Sequence, residues 1–122
     1  MTNAEIVARF VLDNDERPEF ITRGDQKHYK IEIHVANAPL DTYAVTYELH
    51  ETYYDPIRES RDISNAFSTR ITSYGDFRLQ ARLRTRTRVD AIASQLSSAL
   101  RRGHLSDLSL DVSRALEDIE NN

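Results

Sequence analysis

Apolar and polar residues alternate along much of the first 86 positions, and this period of two constrains the fold more than any other feature. Between His28 and Val35, one face is formed by Tyr29, Ile31, Ile33 and Val35. Every second side chain lies on the same face only in an extended strand, so this segment is predicted to be a half-buried β-strand. The same pattern predicts strands at 6–12, 41–52, 66–73 and 77–84, a short extended piece at 20–22, a turn at 24–25 and a long polar loop at 55–65.

The period changes near residue 88. Apolar residues now recur every three or four positions, at Val89, Ile92, Ala93, Leu96 and Leu100. This spacing predicts an amphipathic helix from Arg88 to Arg101, with Gly103 as its C-terminal cap. A second helix is predicted from Leu105 to Ile119, with its start left open because residues 107–111 also alternate. We expect an all-β unit at residues 5–86 and a helical hairpin or extension at residues 87–122.

Composition narrows the classes of function. A length of 122 residues fits one domain, and a net charge of -4 argues against nucleic acid as a partner. The chain has no cysteine, which excludes disulfides, thiolate catalysis and cysteine-bound metals and favours the cytoplasm. No signal peptide or bilayer-spanning run is visible, so no membrane partner is expected. No catalytic triad order or phosphate loop is present, so neither an enzyme nor a cofactor is predicted.

Two segments carry candidate binding residues. In the first, residues 49–58, a strand ends, His50 and Thr52 stand two apart on one face, and the chain breaks at Pro56. In the second, residues 73–77, Tyr74 and Gly75 form a turn. An aromatic residue in an exposed turn is not readily explained by packing, so Tyr74 is the strongest aromatic candidate.

These segments resemble the signatures of the YEATS family. The first has the family's Leu-His pair at a strand end, then an acidic residue, a hydroxyl residue, an aromatic and a proline, here Leu49-His50-Glu51-Thr52-Tyr53 with Pro56. The second has the family's aromatic residue in a glycine-bearing turn, here Tyr74-Gly75-Asp76-Phe77. The resemblance covers about residues 5–86, and the short acidic β unit looks more like the prokaryotic branch than the nuclear one.

The resemblance implies a fold and a site. It implies an immunoglobulin-like β-sandwich (YEATS-like) with a C-terminal α-helical extension, and a non-enzymatic module with a pocket at the loop end of the sandwich. His50 would be the pocket histidine, Thr52 the pocket hydroxyl, Tyr53 and Tyr74 the aromatic walls, and Gly75 a backbone contact to the ligand amide. Eukaryotic members of the family read acylated lysine, whereas the prokaryotic branch looks like sensor or adaptor modules in signalling and defence. The expected partner is thus a modified-lysine peptide or a similar small ligand.

Two residues depart from the family pattern. Ser73 and Asp76 stand where glycine or another small residue is common. Asp76 would put a carboxylate beside the pocket mouth and would favour a cationic or hydroxyl-rich ligand.

Other interpretations remain open at this stage. His50 could simply be a polar residue on a solvent-exposed strand face. Tyr53 and Tyr54 are adjacent and point in opposite directions, so one of the two should point into the core. The arginines of one strand face, Arg78, Arg82 and Arg84, either bind an acidic partner or pair with acidic residues of a neighbouring strand. No metal site is predicted, because the histidines lack ligand spacing.

The helices also leave two possibilities. They either close the open end of the sandwich or form an oligomer or partner contact. The second would make the chain a structural or assembly protein.

Overall fold

Eight strands and two helices follow one another along residues 3–122, the part of the chain that this computed structural model describes. In chain order, the elements are β1 (Glu5–Phe10), β2 (Phe20–Arg23), β3 (Gln26–Ala36), β4 (Ala44–Glu48), β5 (Ile57–Ser60), β6 (Thr69–Ser73), β7 (Arg78–Arg84), β8 (Val89–Gln95), α1 (Leu96–Gly103) and α2 (Leu110–Glu120). A short 3₁₀ turn at Ile63–Asn65 lies between β5 and β6.

The first sheet is built around β3. Strands β1 and β2 pair with successive parts of β3, and β6 also pairs with it, all antiparallel. Gly24 and Asp25 connect β2 to β3 as a two-residue hairpin, in which Gly24 has a φ of 61°. Such a hairpin needs a positive φ at its first central residue, which glycine adopts without strain.

The second sheet has the order β5-β4-β7-β8 and is also antiparallel. Its inner residues join those of the first sheet in one hydrophobic core, as in a β-sandwich. The buried hydroxyl of Tyr47 donates to the carbonyl oxygen of Phe67 at 2.6 Å and ties β4 to the segment before β6. The predicted β-sandwich followed by two C-terminal helices is confirmed.

The prediction of one long loop at 55–65 is wrong in part. Residues 57–60 form the edge strand β5, which pairs with β4 from Val45–Ser60 to Glu48–Ile57. The predicted break at Pro56 does not interrupt the pairing of the two strand ends. The carbonyl oxygen of Pro56 accepts the backbone N–H of Leu49 at 2.7 Å. A proline directly before an edge strand costs no ladder hydrogen bond.

The helix predicted from Arg88 begins only at Leu96. Residues Val89–Gln95 form β8 and pair with β7 along their whole length, from Val89–Arg84 to Gln95–Arg78. The predicted boundary at residue 87 therefore falls immediately before a strand of the second sheet. Backbone pairing with β7 overrides the helical spacing of the apolar residues in this stretch.

Gly103 is the last residue of α1, and His104 occupies the cap position with a φ of -114°. The predicted role of Gly103 as the C-terminal cap is thus wrong. A Cβ on Gly103 would lie 1.9 Å from the carbonyl oxygen of Ala8 in β1. Glycine is needed because α1 approaches the backbone of β1 closely.

Helix α1 also satisfies polar groups on the outer edge of β1. Arg102 Nε donates to the carbonyl oxygen of Ile6 at 3.0 Å, and the backbone N–H of Phe10 donates to Nε2 of the buried His104 at 3.0 Å. Covering an edge strand in this way blocks pairing with another chain.

The second helix starts later than its predicted start at Leu105. Ser109 is the N-cap of α2, and its hydroxyl accepts the backbone N–H of Val112 at 3.2 Å. The apolar stripes of both helices, Leu96, Ala99, Leu100, Val112, Ala115, Leu116 and Ile119, are buried in the same core as the sheets. No helix within residues 3–122 is long and apolar enough to cross a membrane.

Candidate functional site

An open cavity of about 510 Å³ lies where three parts of the sandwich meet. One wall comes from the β4–β5 connection, a second from the end of β6 and the turn after it, and a third from the β2–β3 hairpin. The lining residues are Arg23, His28, His50, Thr52, Tyr53, Tyr54, Arg58, Thr72, Ser73, Tyr74, Gly75, Asp76, Phe77 and Asn122.

All five predicted ligand-binding residues line this cavity, although they come from two separate segments: His50, Thr52, Tyr53, Tyr74 and Gly75. The three arginines predicted as a partner surface do not line it. They lie on β7, where Arg82 pairs with Glu48 at 3.0 Å and Arg84 pairs with Glu59 at 4.0 Å. Among residues 3–122, no group of three metal-ligating side chains is close enough to hold a metal ion.

His50 and Thr52 form a local hydrogen-bonded pair. The Thr52 backbone N–H donates to His50 Nδ1 at 3.2 Å, and the Thr52 hydroxyl oxygen lies 2.9 Å from the same nitrogen. Because Nδ1 accepts, the neutral imidazole carries its proton on Nε2. The Thr52 hydroxyl then directs its hydrogen to Nδ1 and keeps its lone pairs available. The pair can therefore offer one N–H donor and one hydroxyl acceptor to a ligand.

Tyr53 is a half-buried aromatic wall. Its hydroxyl donates to the carbonyl oxygen of Thr72 at 2.7 Å, and its ring centroid lies 5.6 Å from that of Phe77. Burial raises the pKa of Tyr53, so the hydroxyl stays protonated as a donor. The neighbouring Tyr54 is fully exposed. Of the two adjacent tyrosines, Tyr53 is thus the one that packs against the core.

Tyr74 is half-exposed in the turn after β6. Its ring centroid lies 5.1 Å from that of His28, which supports it from the β2–β3 hairpin. The turn is fixed by the buried Ser73, whose hydroxyl donates to the Gly75 carbonyl at 2.7 Å and accepts the Gly75 N–H at 3.3 Å. A Cβ on Gly75 would lie 2.9 Å from the backbone oxygen of Asn122, so glycine lets the two backbones approach.

Asp76 has a different role from the expected one. Its Oδ1 accepts the backbone N–H of Ser97 at 2.9 Å and its Oδ2 accepts the Ser97 hydroxyl at 2.7 Å. Ser97 lies in the first turn of α1, whose N-cap residue Gln95 makes no side-chain cap hydrogen bond. The carboxylate therefore satisfies the N-terminus of α1, where a negative charge is favourable. The carboxylate keeps its negative charge, since both donors are neutral, so the expected preference for a cationic or hydroxyl-rich ligand stays a prediction.

Sequence reasoning missed two cationic residues of the cavity. Arg58 is half-buried, and Arg23 is exposed at the end of β2. Arg58 donates from Nε to the Asp55 carbonyl at 3.0 Å and from Nη1 to the Arg70 carbonyl at 2.8 Å. Its position two residues after Pro56 was the only available sequence signal.

An antiparallel β-sandwich with a partly aromatic cavity at the ends of its strands defines an immunoglobulin-like fold of the YEATS class. Residues 28–93, more than half of the chain, match the family model of the prokaryotic YEATS domain. The chain therefore belongs to the prokaryotic YEATS family.

Solved structures share the fold. The Yaf9 YEATS domain recognising an H3K122suc peptide is 16% identical, with a TM-score of 0.55 over 84% of this chain and 79% of that chain. The Yaf9 YEATS domain bound to H3K27ac is 17% identical, with a TM-score of 0.52 over 79% of this chain and 74% of that chain. The yeast AF-9 homolog protein Yaf9 is 17% identical, with a TM-score of 0.53 over 79% of this chain and 71% of that chain. No curated protein matches the chain.

Proposed function

We propose that this protein is a non-enzymatic binding module that recognises a modified lysine in a peptide, or a small ligand of similar shape. It would act as a sensor or adaptor in a prokaryotic signalling or defence system. The fold class supports a reader-like module, because the Yaf9 YEATS domain of similar fold recognises H3K122suc and binds H3K27ac.

One observation carries the proposal. His50, Thr52, Tyr53 and Tyr74 come from two segments and line one cavity. An acylated lysine is flat at its amide and apolar along its stem, so aromatic rings suit it and add about 0.5–1.5 kcal/mol per contact beyond area burial. The hydroxyl and imidazole of the Thr52–His50 pair can satisfy its amide, which costs about 1–3 kcal/mol when buried without a partner.

A matched pair of tyrosine variants tests this function. Tyr74 and Tyr43 are 45% and 44% exposed, and Tyr43 does not line the cavity. We expect Tyr74→Ala to lose binding of acylated-lysine peptides in calorimetric titrations, whereas Tyr43→Ala keeps it. Both variants should keep a thermal midpoint close to that of the native chain. Unchanged peptide affinity in a folded Tyr74→Ala variant would contradict the proposal.

A second candidate function is assembly with another chain. The helical stripes cannot provide the contact, because they are buried in the core of this chain. Three leucines around the α1–α2 connection remain exposed, namely Leu105, Leu108 and Leu110. If they form a contact, replacing all three by serine should lower the mass measured by light scattering. Leu40→Ser, at a fully exposed leucine elsewhere, is the control.

A further inference from the structure

Residues 74–77, the Tyr74 turn, connect β6 to β7 and carry one of the rings that line the cavity. The side chain of Tyr74 has little support of its own. Its ring contacts that of His28 at a centroid distance of 5.1 Å, and within residues 3–122 its hydroxyl makes no hydrogen bond. The position of the ring therefore depends on the backbone of the turn. A ring that is fixed before the ligand arrives lowers the entropy lost on binding.

The start of α1 holds the Tyr74 turn from one side. Asp76 accepts the backbone N–H of Ser97 at 2.9 Å and the Ser97 hydroxyl at 2.7 Å. The backbone N–H of Leu96 donates to the carbonyl oxygen of Phe77 at 2.9 Å. Three hydrogen bonds thus connect the turn to the first two residues of α1. Because the carboxylate satisfies a helix N–H that has no partner inside the helix, the turn and α1 stabilise each other.

The end of α2 holds the Tyr74 turn from the other side. The backbones of Gly75 and Asn122 are in contact, since a Cβ on Gly75 would lie 2.9 Å from the backbone oxygen of Asn122. The side-chain amide of Asn122 donates to the Asp118 carbonyl at 2.7 Å, which fixes this residue to the last turn of α2. The Asp118 carboxylate also accepts the hydroxyl of Tyr29. Tyr29 pairs with Ser73, the residue directly before the turn, so α2 is bonded to the strand that supports it.

We infer that both helices position the Tyr74 turn, so that they form part of the binding site and their docking is coupled to ligand binding. The inference rests on the proposed function, since it concerns the same cavity. Asp76 is the positioning residue of the α1 contact, and Tyr29 provides the α2 contact. Coupling free energies are reciprocal, so a helix that raises the affinity for the ligand is itself stabilised by the ligand.

The position of Tyr74 can be measured in the free protein. The nuclear Overhauser effect between the rings of Tyr74 and His28 reports their contact. We expect Asp76→Ala to lose this signal and Asp76→Asn to keep it, because an asparagine oxygen still accepts the Ser97 N–H. Ser109→Ala is the matched control, since it removes the N-cap hydroxyl of α2 and leaves the Tyr74 turn intact. This variant should lose a similar amount of stability and keep the signal.

An acetyl-lysine peptide, titrated calorimetrically, measures the effect on binding. Coupling between two sites typically changes an affinity by at least about fivefold. Asp76→Ala should weaken peptide binding by at least this factor, whereas Asp76→Asn and Ser109→Ala should bind like the native protein. Tyr29→Phe, which removes the hydrogen bond between β3 and α2, should also weaken binding.

Hydrogen exchange of the native protein measures the reciprocal effect. Saturation with the acetyl-lysine peptide should slow exchange of the Ser97 N–H by at least about fivefold, because the ligand holds the turn to which this N–H is bonded. The N–H of Thr42, bonded to the Pro39 carbonyl in the β3–β4 connection, is the internal control and should not change. This measurement needs no variant, so it still decides the result if Asp76→Ala does not fold.

The outcomes distinguish this inference from the proposed function. An Asp76→Ala variant that keeps both the ring contact and the peptide affinity overturns the inference and leaves the proposed function standing. An equal loss in Asp76→Asn also overturns it, because the charge and not the hydrogen bond would then be the cause. An equal loss in Ser109→Ala would trace the effect to stability and overturns it as well.

Two further outcomes concern parts of the inference. Unchanged binding by Tyr29→Phe overturns the contribution assigned to α2. Failure of the native protein to bind the peptide counts against the proposed function alone, since the ring contact still decides whether Asp76 positions Tyr74.

Discussion

The hydroxyl of Tyr53 donates to the carbonyl oxygen of Thr72 at 2.7 Å, so an aromatic wall of the cavity is fastened to strand β6. Thr72 is part of the antiparallel pair that β6 forms with β3. The Arg70 carbonyl, two residues earlier on the same strand, is bonded by Arg58. Two side chains from the β4–β5 region thus bridge the two sheets beside the cavity.

The Tyr53–Thr72 hydrogen bond predicts a measurable effect on stability. Tyr53→Phe should lower the free energy of unfolding by about 1 kcal/mol, the typical net value of one such hydrogen bond. The ring and its contact with Phe77 remain, so the fold should not change. Urea unfolding measures the difference. Tyr54→Phe, at the fully exposed neighbour, should show no change.

Because Asp76 caps the N-terminus of α1, its side chain should contribute to the stability of the fold. Asp76→Ala should destabilise the protein by about 0.5–2 kcal/mol, because the Ser97 N–H at the start of α1 loses its acceptor. Asp41→Ala, at an exposed aspartate in a loop, is the matched control. An Asp76→Ala variant as stable as the Asp41→Ala variant in urea unfolding would show that the cap contributes little.

The close approach of Gly103 to Ala8 reverses an ordinary helix preference. Alanine is favoured over glycine inside a helix by about 1 kcal/mol, yet a Cβ at position 103 would lie 1.9 Å from the Ala8 carbonyl oxygen. Gly103→Ala should therefore lower the free energy of unfolding, since α1 must move away from β1. Ser98→Ala, on the exposed side of the same helix, should be neutral or slightly stabilising. A stabilised Gly103→Ala variant in thermal unfolding would contradict this explanation.

The sequence correctly predicted those strands in which one face is buried and the other faces solvent. In β3 and β7 the apolar residues alternate with polar ones, and burial follows that alternation. Strands β5 and β8 give no such signal, because neither has a fully buried residue. Their positions depend on backbone pairing with β4 and β7, and such pairing cannot be derived from local periodicity.

As with the strands, part of the candidate site could be predicted from the sequence and part could not. His50 and Tyr74 stand in segments with a recognisable order of residue types, and both line the cavity. For Arg58 the sequence offers only its position two residues after Pro56, and a charged residue in a polar segment is usually solvated. The role of Asp76 depends on where α1 begins, so a helix predicted to start at Arg88 could not reveal a cap at Ser97.

Both ring nitrogens of the buried His104 have polar partners. Its Nε2 accepts the backbone N–H of Phe10 at 3.0 Å, its Nδ1 lies 3.0 Å from Asp107 Oδ1, and its ring stacks on Phe10. In the neutral ring the proton is therefore on Nδ1. Burial lowers the pKa of His104, the hydrogen bond to Asp107 partly opposes this, and the charge of Arg9 lowers it further. Protonation would add the second ring N–H at Nε2, where it would face the backbone N–H of Phe10.

The sign of the pH effect follows from this lowered pKa. Below the unfolded value of about 6.5, the unfolded chain binds a proton that the folded chain does not. The free energy of unfolding should therefore fall as the pH drops through about 6.5 and level off below the folded pKa of His104. Asp107, whose pKa is lowered mainly by its hydrogen bond to Arg9, stays ionised throughout this range.

Urea unfolding between about pH 7.5 and pH 5 measures this slope, because it spans the ordinary pKa of histidine. Burial also lowers the pKa of His34, so both histidines contribute with the same sign. In His34→Gln the slope should shrink but persist, and NMR titration should give His104 a pKa below about 6.5. A flat profile in His34→Gln would mean that His104 accepts a proton in the folded state as readily as in the unfolded chain. In that case the Phe10 N–H could not be bonded to Nε2.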